Sequence, residues 1–143
     1  MTQGNQVEIG IARLYVKDLS FESPAAPGVF TKNFQPEIKV RVGVKPQRIE
    51  ENLFEVCLEL HIEGRSGDMV GFIVEIEHAG LFEIRNAPEA QLDSILTVFC
   101  PATIFPYARQ AIDNAMIQGG FPPLTMSPLD FESLRRNAPR PDA

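Results

Sequence analysis

Residues 37 to 45 alternate strictly, with Ile38, Val40, Val42 and Val44 on one side and charged residues or Gly43 on the other. A period of two with one wet side predicts a β-strand. The segment 54 to 63 repeats the pattern, setting Phe54, Val56, Leu58, Leu60 and Ile62 against Glu55, Cys57, Glu59, His61 and Glu63. Arg65-Ser66-Gly67-Asp68 supplies a turn, and Val70, Phe72, Val74 and Ile76 continue the alternation into a further strand. Val7 to Lys17 gives a less regular first strand. Four strands in sequence predict an antiparallel meander.

After residue 86 the period changes. Leu92, Ile95, Leu96 and Phe99 fall at i, i+3, i+4 and i+7 behind Pro88, which predicts an amphipathic helix with the proline in its first turn. The run Phe99 to Arg109 then holds two prolines in apolar sequence, so the helix is expected to stop at Cys100 and a second to start near Pro106. That second helix runs through Ala108, Ala111, Ile112 and Ala115 to Gly119-Gly120. A proline-rich connector follows, and Asp130 can cap a short helix holding Phe131 and Leu134 before a tail expected to fray from about residue 137. The expected fold is α+β: one domain over 1–143, a four-stranded antiparallel sheet, a long broken helix and a short C-terminal helix. No internal repeat or dividing linker interrupts it.

One connection is unusual. Between the first two strands, Phe21 to Pro36 forms a long loop with three prolines and three phenylalanines. Exposed loops are seldom so aromatic, so this one must pack on something. Phe21, Phe30 and Phe34 either pin the loop to its own domain or, with Phe121, Leu124, Phe131 and Leu134, line an adaptable groove for extended peptides.

Charge narrows the choice of partners. Thirteen basic against nineteen acidic residues give a net charge of −6, which disfavours nucleic acid and anionic membranes and favours basic peptide segments. No apolar run is long enough to cross a bilayer, the start lacks the basic and apolar regions of a signal peptide, and two cysteines far apart form no disulfide framework; a cytosolic location is expected.

Catalytic chemistry is sparse. Cys57 and His61 share a strand side but lie roughly 13 Å apart, too far for a dyad. Cys100 beside Pro101 reads as core, with a small cysteine-dependent hydrolase as the alternative. Glu59, His61 and Glu63 have no second cluster to complete a metal site, and no phosphate loop or nucleotide fingerprint occurs, so no catalytic residue, metal or cofactor is expected. The polar sides of two strands carry Glu55, Glu59, Glu63, Glu75 and Glu77, with Ile73 as an apolar spot among them, as a docking surface requires. Val74 and Ile76 point the opposite way, into the core or a subunit interface.

Four blocks resemble the SecB protein-export chaperones: Tyr15-Val16-Lys17-Asp18-Leu19-Ser20-Phe21-Glu22, Phe34-Gln35-Pro36-Glu37, Phe99-Cys100-Pro101 with Phe105-Pro106-Tyr107-Ala108-Arg109, and Gly120-Phe121-Pro122 with Leu124. The resemblance implies a cytosolic homotetramer, a dimer of dimers, that holds precursor proteins unfolded without ATP and passes them to the SecA motor ATPase. It assigns SecA binding to Asp18, Glu22, Ile73 and Glu75, an oligomer interface to Val74 and Ile76, and the client groove to the aromatic loop and the C-terminal helix, which acts as a lid. An alternative within the fold is a chaperone dedicated to one client, such as an antitoxin. The tail Ser133 to Ala143 is short and basic where the family's is commonly longer and rich in glutamine or acidic residues, which puts tail contacts with SecA in question.

Overall fold

The computed structural model describes residues 6–137, so the expected fraying of the tail lies outside the described residues. Strands β1 (Glu8–Glu22), β2 (Glu37–Glu50), β3 (Leu53–Ser66) and β4 (Met69–Arg85) form one antiparallel sheet in the order β1-β4-β3-β2. The expected meander therefore holds only for β2, β3 and β4. β1 pairs with β4 at the far edge, and the loop from Ser23 to Pro36 crosses the sheet to reach β2. Its length is what allows this, since passing two intervening strands means a displacement of about 14 Å between neighbours 4.8 Å apart.

Alternation on β3 and β4 decides which side is buried. Phe54, Val56, Leu58, Leu60 and Ile62 lie opposite Phe82, Gly80, His78, Ile76 and Val74, and the helices cover this side. Fully burying each large apolar side chain here contributes roughly 1.5–3 kcal/mol. β1 looks irregular in sequence because it contains two bulges, between Ile11 and Arg13 and between Val16 and Asp18. The second inserts Lys17, so Tyr15 (opposite Ala79) and Asp18 (opposite Glu77) share the polar face despite their odd and even numbers.

The helical layer comprises α1 (Glu89–Ser94), a π-helical segment (Ile95–Phe99), α2 (Cys100–Gln118) and a separate α3 (Phe131–Asn137). The long helix departs from α geometry just ahead of the proline-bearing run, and the stop expected at Cys100 does not occur: Ser94, Ile95, Phe99 and Cys100 all keep right-handed helical backbone. In a regular helix the Pro101 ring would collide with the carbonyl of Thr97; the wider turn, in which Cys100 N–H reaches back to Ile95, relieves that collision. Pro106 lies inside α2 on its exposed side, where water can serve the freed carbonyl of exposed Ala102. α2 packs chiefly on β4 and β3, sealing Ile104, Phe105, Ala108, Ile112 and Met116 against the sheet.

The helix layer is narrower than the sheet. Ile9, Ile11, Val16 and Leu19 of β1 point to the helix side yet remain 36–51% exposed. Val74 and Ile76 do the reverse. At 0% and 2% exposure they are packed in the chain's own core.

Candidate functional site

The polar face of the sheet carries the acidic cluster. In the β1–β4 register Glu22 stands opposite Ile73, Ser20 opposite Glu75 and Asp18 opposite Glu77, so Asp18, Glu22, Ile73 and Glu75 lie on one face at one corner. Towards the centre the face hollows into a depression of about 360 Å³ whose polar lining includes Asp18, Arg41, Glu59, His61, Glu75 and Glu77.

Pairing separates these acids into two kinds. On β3, Glu55 meets Lys17 at 3.2 Å, Glu59 meets Lys45 at 3.1 Å and Glu63 meets Arg65 at 3.3 Å. Glu55 also accepts a 2.5 Å hydrogen bond from Tyr15 Oη. That bond, with Lys17 adding to it, holds the Glu55 carboxyl below its ordinary range; burial and the facing carboxylate push the Tyr15 phenol up to about 12. Across the corner the pattern differs. Among the described residues Asp18, Glu22 and Glu77 make no ion pair, and Glu75 meets only His61 Nδ1, at 3.3 Å. Alternation pointed to a uniformly acidic face; the fold neutralises its middle and leaves the β1–β4 edge negative.

Six of the seven expected groove residues fall in two places. Phe21, Phe30 and Phe34 converge on Phe121, with ring centroids 6.2, 5.2 and 6.1 Å away, and Phe72 completes the pile at 5.2 Å. Gly71 and Gly119 are beds for rings: a Cβ at either would come within 2.1 Å of Phe34 or Phe21 respectively. Phe131 instead packs on Phe105, and with Leu134, Val42, Val44, Thr97 and Arg135 it lines a separate crevice of about 190 Å³. An ion pair from Arg135 to Asp93, 2.9 Å long, ties α3 to α1 beside it. Leu124 is half-buried on the segment between α2 and α3. Sequence reasoning missed Phe72, Val42 and Val44 as members of these surfaces, because their alternation marks them only as core.

The cysteines are poorly placed for nucleophilic work. Burial pushes the Cys100 thiol up to about 12, and burial with Glu77 and Glu59 nearby pushes Cys57 to about 11, so neither supplies thiolate near neutral pH. His78 is buried with Nδ1 unpartnered, and burial lowers its pKa. Among the described residues no three His, Cys, Asp or Glu side chains converge at metal-ligand spacing.

A sheet with one open, locally negative face and an aromatic cluster fed by a crossing loop presents two surfaces, one charged and one apolar, on which another chain can be held. The family model described as preprotein translocase subunit SecB matches residues 2–140. The protein-export protein SecB of Chromohalobacter salexigens is 42% identical over 91% of this chain and 80% of its own length, and that of Methylococcus capsulatus is 39% identical over 94% and 88%. A SecB-like chaperone of Mycobacterium tuberculosis, solved with a ChAD peptide from an antitoxin, shares the fold at TM-score 0.64 and 17% identity over 85% of this chain and 87% of that one. This chain belongs to the SecB family and is a protein-export chaperone.

Proposed function

We propose that the chain holds precursor proteins unfolded in the cytoplasm without ATP and delivers them to SecA from the corner formed by Asp18, Glu22, Ile73 and Glu75. The observation that carries this reading is that, among the described residues, Asp18 and Glu22 have no ion-pair partner, against three paired glutamates on β3. Unpaired acids around a half-exposed isoleucine attract a basic partner at long range and give it an apolar anchor. Clients bind the aromatic cluster and the Phe131–Leu134 crevice, and a protein that binds unfolded but not native chains retains them by mass action. The functional unit is a dimer of dimers, in which subunits cover the apolar strip Ile9, Ile11, Val16 and Leu19. Among the described residues no helix is long and apolar enough to cross a membrane, which accords with action off the bilayer.

Calorimetry tests the assignment. Asp18→Asn with Glu75→Gln should weaken SecA binding about tenfold or more at low salt, converge on wild type as salt rises, and leave binding of a permanently unfolded polypeptide unchanged. Equal loss of both activities would place the docking surface elsewhere.

A further inference from the structure

Within the chain the rings of the aromatic cluster already satisfy one another. Phe121 is 8% exposed and meets four other rings, so an incoming apolar side chain finds its place taken. Phe121 sits at the start of the strap 119–130, which carries three prolines and no regular secondary structure. The strap's first turn is closed by Phe121 N–H to Met116 and Gly120 N–H to Ile117, with Gly120 at φ 87°, a helix end that favours glycine.

Further along, two polar side chains of α2 hold it. Asp113 Oδ1 accepts from the backbone N–H groups of Leu124, at 3.0 Å, and Thr125, at 3.3 Å. Arg109 Nη1 donates to the carbonyl of Met126 at 3.2 Å. Four residues separate Asp113 from Arg109, which sets both on one side of α2. Between these anchors Thr125 has φ 54°, a conformation that a β-branched residue keeps only when its surroundings impose it.

We infer that Asp113 and Arg109 form a clasp that keeps the strap closed over the aromatic cluster, so that Phe121 occupies the place an apolar client side chain takes once the strap lifts. This rests on the reading of Phe21, Phe34 and Phe121 as client contacts. The closed strap covers apolar rings that would otherwise promote self-association, and it lowers apparent client affinity by the fraction of molecules in which it is open. Asp113 and Arg109 are positioning residues, setting affinity through the strap without touching the client.

Binding of a reduced, permanently unfolded polypeptide, followed by fluorescence anisotropy, reads the clasp directly. Asp113→Ala loses two backbone hydrogen bonds and should bind about tenfold tighter, with faster amide exchange at Leu124 and Thr125, while Asp113→Asn, which keeps the acceptor oxygen, stays near wild type. Unchanged or weaker binding by Asp113→Ala, with those amides exchanging faster, would show the strap to be a fixed wall and overturn the clasp. In unaltered protein, client binding should speed exchange at Leu124 and Thr125; unchanged or slower exchange overturns the inference without any variant. Wild type that ignores the polypeptide would instead overturn the functional reading beneath it.

Discussion

The acidic corner and the aromatic cluster are both made of side chains that the sequence offers to a partner, and the chain treats them in opposite ways. Among the described residues Asp18, Glu22 and the half-buried Glu77 have no ion-pair partner, while Phe21, Phe34, Phe72 and Phe121 close on one another. The cause is solvation. A carboxylate loses more on leaving water than an exposed ion pair returns, whereas a ring gains by any burial, including burial against its neighbours. A charged docking site can therefore stand ready and open. An apolar one on a lone chain is closed until something opens it, unless its residues lie beyond the reach of the helices, as on β1.

The sharpest test of that contrast removes the hub. Phe121→Ala should destabilise the chain by about 3–5 kcal/mol in urea or guanidinium unfolding, whereas Phe30→Ala, at a ring 52% exposed, should cost about 1 kcal/mol. Similar costs at both positions would mean that the cluster is not closed around Phe121.

A smaller effect is expected within the open face, at the Tyr15–Glu55 bond. Tyr15→Phe should cost about 1–2 kcal/mol at neutral pH. The phenol's folded value, about 12, lies above its ordinary 10.0, so its contribution is whole below pH 10 and disappears as pH rises through 12. Glu55 lies below its ordinary 4.5, so its contribution is present above that value and disappears as pH falls through its lowered folded one. Stability measured against pH should lose the alkaline limb in Tyr15→Phe and keep only a reduced acid limb, because Lys17 still pairs with Glu55; unaltered limbs would detach the pair from the fold's stability.

The smallest effect is a null one spanning both regions. Cys57 lies on the polar face and Cys100 in the core, yet with thiols raised to about 11 and 12 both should resist alkylation at pH 8 until denaturant is added. Labelling of Cys57 in the native protein would show that the polar face opens more deeply than its ion pairs suggest.

Much of this molecule is legible in its alternation. β2, β3 and β4, the core side of the sheet, the acidic side with Ile73 in it, and the short helix at Phe131 follow from periods of two and 3.6 together with turn residues. The prolines were less transparent. Pro101 and Pro106 promise a stop, but a π-helical turn accommodates one and solvent the other, so the chain stays helical from Glu89 to Gln118. Asp113 and Arg109 gave no local signal, since their partners lie eleven to seventeen residues away along an irregular strap.

What the sequence alone determined is the set of surfaces: a two-sided sheet, a long helix, an aromatic loop and a negative charge, each dictated by local periodicity and composition. Only the tertiary structure decided how those surfaces are spent. The bulge at Lys17 put Asp18 on the polar face, the crossing of the loop placed β1 beside β4, and pairing across strands with Lys17 and Lys45 chose Glu55 and Glu59 as acids to be neutralised. These outcomes depend on contacts between residues far apart in the chain, whose energies appear only once the backbone has brought them together.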